Sequence, residues 1–394
     1  MPWMETCAVD QRTRFVLEVE RGEFSVSELC GSFGISRKTA YKWLHRYQTE
    51  GLDGLRDRSR ARRVQPHAVP DAVRRRIIEA RRRHPTWGPK KLRPWLARQD
   101  PDLPLPSLTT MHTILDDAGL IRRQRRRRHP VVGVQGTLSG DDRPNGVWCV
   151  DFKGQFRLGN GRLCFPLTVT DSHSRMLLLC RGHRGTHREP VQAALTDLFE
   201  RVGVPQAIRS DNGLPFAASG LARLSRLSVW WMDQGISLQR ITPGRPQQNG
   251  RHERMHRTLK AETTRPPKHS MGRQQRCFDA FVQTYNWERP HEALDDRCPG
   301  DVYEPPVRAY TPGGLPLVYP GHYETRMVTT AGQITWRKRR VFLSESLAGR
   351  RVGLVEIEEA RWRLYYREQA IGLLDEQGTR PLVRPIPGPA KGDN

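Results

Sequence analysis

Apolar positions along this chain follow three successive rhythms. Up to residue 121 they recur at helical spacing, from 146 to 262 short apolar runs alternate with amphipathic helices, and beyond 321 they alternate as in strands. In the first stretch Phe15, Val16 and Val19 predict a helix over 12–20. Ser25 and Ser27 are candidate N-caps for a helix over 27–33, and Ser36 for one over 37–50. A second helical group covers 72–83 behind Asp71, a helix opened by Thr86–Leu92 and running to Ala97, and 108–117 behind Ser107. Next, 147–152, 163–171 and 175–180 read as an antiparallel meander. They are followed by a helix (189–202), a strand (206–211), a helix (221–234), a strand (236–241) and helices over 247–262 and 274–286. Short strands are then expected at 324–330, 333–337, 340–343, 351–357, 362–366 and 369–374.

This order predicts a multidomain protein: helix-turn-helix units, an α/β layer with a mixed sheet, and a small all-β barrel. The expected parts are a helix-turn-helix domain (9–55), a basic linker (56–69) and a second, winged-type helix-turn-helix domain (70–121). An Arg-rich linker (122–140), a catalytic core (141–300), a connector (301–321), the β-barrel (322–378) and a disordered tail (379–394) follow.

Charge adds a partner to this outline. A formal net charge of +24 and a pI near 10.6 favour polyanions, DNA before membrane surface. The helix over 37–50 presents Arg37, Lys38, Thr39, Lys42 and Arg46, suited to a major groove. Lys90 and Lys91 do the same for the second group. Arg125 and Arg126 lie in a run too basic to pack in a core, which is expected to follow phosphate. No stretch reaches the ~20 apolar residues of a membrane span. The seven cysteines (7, 30, 149, 164, 180, 277, 298) are scattered, without C-x-x-C, as expected of reduced thiols in the cytoplasm. No membrane partner and no small-molecule substrate are expected.

Three acids occupy comparable places. Asp151 closes an apolar strand, Asp211 closes another before an Asn-Gly turn, and Glu253 lies on a long helix. Clustered carboxylates repel one another unless a cation neutralises them. Hard oxygen ligands favour Mg²⁺ or Mn²⁺, and two such ions can hold the attacking and leaving oxygens of an in-line phosphoryl displacement. On the Glu253 helix, Asn249, Glu253, Arg257 and Lys260 form one stripe that is expected to meet DNA. Met255 and Leu259 fall opposite and anchor the helix. His252 and His256 are read as DNA-facing or surface groups.

Four ordered motifs carry a resemblance. Trp148–Asp151, Ser210-Asp-Asn-Gly-Leu-Pro-Phe216, Pro243-Gly-Arg-Pro-Gln-Gln-Asn-Gly-Arg-His-Glu253 and Tyr285-Asn-Trp-Glu-Arg-Pro-His291 resemble the core of insertion-sequence transposases of the retroviral-integrase-like superfamily. The resemblance implies a ribonuclease-H-like fold and a DDE site at Asp151, Asp211 and Glu253 that holds two Mg²⁺ or Mn²⁺ ions. It also implies cleavage of transposon-end DNA, joining to target DNA, a homo-oligomer on paired ends, and a nucleoid-associated place in a bacterial-type cytoplasm. The chain departs from the family in its longer interval between Asp211 and Glu253, with extra residues around 221–231. It also lacks the His/Cys zinc pattern of retroviral integrases. A DNA-binding regulator derived from a transposase is the alternative reading, and a nuclease without joining activity another.

Overall fold

A computed structural model describes residues 7–58, 68–121, 140–240, 250–376 and 382–385. The chain divides into two units, residues 1–69 and 70–394.

The first unit packs α1 (Ala8–Arg21), α2 (Val26–Ser32) and α3 (Arg37–Glu50) around Phe15, Val16, Leu29, Cys30, Ala40, Trp43 and Leu55. Ser25 starts α2 in a reciprocal capping box with Glu28, and the Ser36 side chain accepts from the Thr39 amide to start α3. Gly54 has no alternative: a Cβ there would lie 2.3 Å from the Arg46 carbonyl oxygen.

The second unit begins with α4 (Asp71–Arg83), α5 (Pro89–Gln99) and α6 (Leu108–Asp117). Asp71 is the first residue of α4 and not its cap, which is Pro70. No strand forms a wing among the described residues 68–121. This helical group rests on the α/β layer. Arg98 reaches both carboxylate oxygens of Asp301 at 2.7 and 3.0 Å, and Lys91 donates to the Pro290 carbonyl at 3.0 Å.

The layer's sheet runs β2 (Phe156–Arg157), β3 (Leu163–Asp171), β1 (Val147–Phe152), β5 (Ala207–Ser210), β6 (Ser237–Arg240), with β4 (Leu177–His183) on β3. β1 is antiparallel to β3 and parallel to β5, so the sheet is mixed as the element order predicts. Alternation along the strands separates two faces. Trp148, Val150, Leu167, Val169 and Ile208 pack under α7 (Arg188–Val202) and α8 (Arg226–Asp233). Cys164, Leu177 and Cys180 face α9 (Gly250–Thr263) and α10 (Met271–Gln283), which contribute Met255, Leu259, Phe278 and Phe281.

The helix expected over 221–234 is broken. Ala222 and Arg223 take positive φ (49° and 52°), leaving a single turn at Leu221–Arg223, and the helix restarts behind Ser225. Leu221, Leu224, Val229 and Met232 turn away from the sheet into a core shared with the C-terminal strands.

Those strands form two antiparallel sheets rather than one traced ring. One runs β13 (Leu382–Arg384), β12 (Gln369–Asp375), β11 (Arg361–Tyr366), β10 (Arg351–Glu358), β7 (Glu324–Met327), and the other is the hairpin β8 (Gln333–Trp336) and β9 (Arg339–Phe342). β13 lies in the tail expected to be disordered; its pairing Leu374↔Val383 corrects that expectation for residues 382–384. Among the described residues no helix is long and apolar enough to cross a membrane.

Candidate active site

Strand register brings the first two acids together. Val150 pairs with Ser210 in the parallel β1–β5 ladder, so the next residues, Asp151 and Asp211, leave neighbouring strands side by side. Parallel strands lie about 4.8 Å apart. Val150 and Ile208 point to the α7 side, so Asp151 and Asp211 fall on the α9 side. On α9 the residues His252, Met255, His256, Leu259 and Thr263 are buried against the sheet. Glu253, one position beyond His252 in the first turn, is exposed at the edge of that stripe.

Electrostatics links the three. The Asp151 carboxyl is pushed up to about 7, first by burial and then by the charge of Asp211, with a smaller push from Glu253; Lys153 acts in the opposite direction. A carboxylate that resists ionising because it is buried, and further because a second carboxylate lies beside it, fits a cation between the two.

The second acid is braced. Asp211 Oδ1 accepts from the Gly213 amide at 3.1 Å, closing the Asn-Gly turn on itself. Arg240, across the β5–β6 ladder from Ser210, donates to Ser210 Oγ at 2.7 Å and to the carbonyls of Phe216 and Asp211 at 2.8 and 3.4 Å. Burial lowers its guanidinium to about 10, and Asp211 opposes that shift. Deeper on the same face Asp141 pairs with buried Arg209 at 3.1 Å, while Arg251 of α9 lies 3.8 Å from Asp141 and donates to the Ser172 carbonyl at 3.0 Å.

His252 and His256 overturn the surface reading: only 2% and 5% of each is exposed. They extend the Met255–Leu259 stripe at i, i+4 and lie beneath α9. Burial drives both imidazoles down, to about 3 and about 2, so both are neutral near pH 7. Ligand atoms of Asp151, His252 and His256 lie within 4.8 Å of one another.

The other expected contacts are placed as follows. Arg37, Lys38 and Lys42 are exposed on α3. Thr39 Oγ1 is 2.9 Å from Ser36 Oγ, and Arg46 donates to the Arg56 carbonyl at 2.8 Å with its guanidinium over Trp43. Lys90 pairs with Glu292 at 3.3 Å. Lys91 is turned inward, its ammonium lowered to about 8 by burial and then by Arg289. Arg257 and Lys260 are exposed on α9. Arg125, Arg126 and Asn249 lie outside the described residues. Every cysteine in the described residues is a free thiol.

Sequence reasoning missed Arg240, Thr168 and the inward histidines. The histidines were detectable, since they continue the apolar stripe. Arg240 gives no such signal, because only the strand pairing brings it to Ser210.

A mixed sheet with helices packed on both faces is a ribonuclease-H-like layout. Family comparisons match the same regions of the chain. Integrase core domain models match residues 141–246 and 234–299, a helix-turn-helix domain model matches 11–63, and a homeodomain-like domain model matches 39–115. The chain is 29% identical over 194 residues to the insertion element IS407 uncharacterized 31.7 kDa protein of Burkholderia multivorans, covering 48% of this chain and 67% of that one. It is 28% identical over 131 residues to the Pol polyprotein of feline endogenous virus ECE1, covering 33% of this chain and 12% of that one. Among solved structures it is similar to the catalytic core of HTLV-2 integrase in complex with magnesium (TM-score 0.33, 13% identity, 41% of this chain and 98% of that one). It is also similar to the simian T-cell lymphotropic virus intasome in complex with PP2A regulatory subunit B56 gamma (TM-score 0.37, 14% identity, 67% and 90%). The chain therefore carries helix-turn-helix domains ahead of an integrase core, and it is a homologue of an insertion-element protein.

Proposed function

We propose that this protein is a DDE transposase that binds the ends of a mobile element, cleaves a strand there and joins the freed end to target DNA. The observation that carries this reading is the β1–β5 register, which sets Asp151 and Asp211 side by side on the face beneath α9. Asp151, Asp211 and Glu253 are the groups that would hold divalent cations, Mg²⁺ or Mn²⁺, two by the logic of in-line displacement. Bound there, such ions supply charge neutralisation and Lewis acidity at the phosphate. The chain's own part is geometric. Strand ends fix the two aspartates, the first turn of α9 offers Glu253 from the solvent side, and Arg257 and Lys260 follow on the same exposed face, where they would take phosphates. No side-chain nucleophile is needed.

Specificity is assigned to the helical parts. Arg37, Lys38, Thr39, Lys42 and Arg46 would read or track end DNA from α3, and Arg125, Arg126 and Asn249 would add phosphate contacts. Lys90 and Lys91 are engaged within the protein, so their part in DNA binding requires release from Glu292 and Pro290. We take the two C-terminal sheets as a small barrel and the working form as a homo-oligomer on paired ends.

Asp211→Asn tests the reading. Cleavage of DNA carrying the element's ends, in Mg²⁺, should fall by at least roughly a thousandfold, while a mobility shift on the same DNA stays intact. Retained cleavage would remove Asp211 from the chemistry. Wild-type protein that cuts and yields no joined product would be a nuclease; protein that binds and does neither would be the regulator.

A further inference from the structure

Behind Asp151 lies a buried polar network on an otherwise apolar interface. Thr168 and Thr170 project from β3 toward α9, while Leu167 and Val169 between and beside them project into the opposite core. Thr168 is the cross-strand partner of Asp151, and its hydroxyl donates to the Asp151 carbonyl at 3.1 Å. The same Oγ1 lies 2.9 Å from His252 Nε2 and 2.7 Å from His256 Nε2, and Thr170 Oγ1 lies 2.7 Å from His252 Nδ1.

The protons can be assigned by counting. A hydroxyl has one hydrogen and two lone pairs. Thr168 uses its hydrogen on the Asp151 carbonyl, so both Nε2 atoms must donate to it. With its hydrogen on Nε2, His252 offers a lone pair at Nδ1 that accepts from Thr170. His256 Nδ1 is left bare, turned toward Asp151 Oδ2 at 3.8 Å, too long for a hydrogen bond. One arrangement of hydrogens makes all four contacts hydrogen bonds. His252 has both nitrogens engaged, so the Asp–His–His group does not offer three free ligand atoms to a metal.

This network spans the gap that the site must hold constant. One end is the Asp151 backbone; the other is the turn of α9 that contains Glu253, between His252 and His256. We infer that Thr168, clasped by His252 and His256, is a positioning device that sets the Glu253 turn against Asp151 and so builds the cation site. The inference rests on the proposed metal-dependent reading. It assigns these side chains no contact with cation or DNA.

The test uses the full-length protein and Mn²⁺ alone, followed by loss of the free-ion electron paramagnetic resonance signal. Thr168→Val removes the hydroxyl at nearly constant volume and should weaken Mn²⁺ binding roughly tenfold, as loss of a supporting partner does at other metal sites. Thr168→Ser should restore wild-type affinity. His256→Gln, which keeps a donor near the Nε2 position, should stay close to wild type. Thr170→Val removes only the outer contact to His252 and should weaken binding by a smaller factor; it serves in place of Thr168→Val should that variant not fold. Wild-type affinity in Thr168→Val or, failing that, in Thr170→Val would overturn the proposal. So would loss of affinity in His256→Gln with none in Thr168→Val, since His256 would then be a ligand. Failure of the underlying reading looks different: Mn²⁺ would not bind wild type, or would bind Asp211→Asn equally well.

Discussion

Arg240 holds the Asp211 turn by three oxygens, and Asp211 is a neighbour of its charge. Replacing it with Met keeps the bulk of the side chain and strands the Phe216 carbonyl and the Ser210 hydroxyl. Arg240→Met should cost about 2–3 kcal/mol in denaturant unfolding and slow cleavage by at least roughly tenfold, because a small displacement of a reacting group is expensive. Lys should recover only part, since an ammonium cannot span the same acceptors. Unchanged stability and rate would make Arg240 a bystander. The contrast with the acids is instructive. Asp151 and Asp211 were readable because each closes an apolar run, and Glu253 from the Pro243–Glu253 motif on the expected helix. Arg240 and Thr168 close no apolar run: Thr168 alternates with Leu167 and Val169 inside a strand, Arg240 follows polar Gln239, and the partners of each arrive from distant parts of the chain.

At the scale of elements, α9 has two separable jobs. Its buried stripe attaches it to the sheet, and its exposed edge carries Glu253, Arg257 and Lys260. Leu259 is fully buried, so Leu259→Ala should destabilise by about 2–5 kcal/mol. Arg257→Ala should leave stability within about 0.5 kcal/mol while weakening DNA retention. If the two substitutions affect stability alike, the stripe has been drawn on the wrong face. Most elements of this layer were legible because period-2 and period-3.6 patterns are strong in buried strands and amphipathic helices. The broken helix at 221–234 was not, because Leu221, Leu224, Val229 and Met232 keep a helical rhythm that serves another core. The strand at 382–384 was hidden by flanking prolines; it forms because β12 offers an edge to pair with.

For the whole molecule, burial of histidines sets the response to acid. His84, His252, His256 and His291 have folded values near 4, 3, 2 and 3, all lowered first by burial. Their unfolded values lie near 6.5. Between these limits the unfolded chain binds more protons, so stability falls as pH drops from about 6.5 toward 4. Asp151 and Asp171, raised by burial, act in the opposite sense and gain stability as pH falls. At pH 5 each histidine costs about 2 kcal/mol, and together they outweigh the two carboxyls. The Tm of the metal-free protein should therefore drop between pH 7 and pH 5, and a flat or rising Tm would contradict the buried, neutral histidines.

The turn at Leu221–Arg223 has a consequence for inheritance. It lies in the interval between the second and third acids, and its apolar residues share one core with the C-terminal sheets. Ser346, in the turn between β9 and β10, donates to the Leu224 carbonyl, and buried Asp233 at the end of α8 is bonded to Tyr366 and paired with Arg350 at 2.8 Å. The stretch from Leu221 to Met232 and the C-terminal module are thus two halves of one contact, and neither covers its apolar surface without the other. Across a lineage they should be gained or lost as a pair, and a chimera that exchanges one must exchange both.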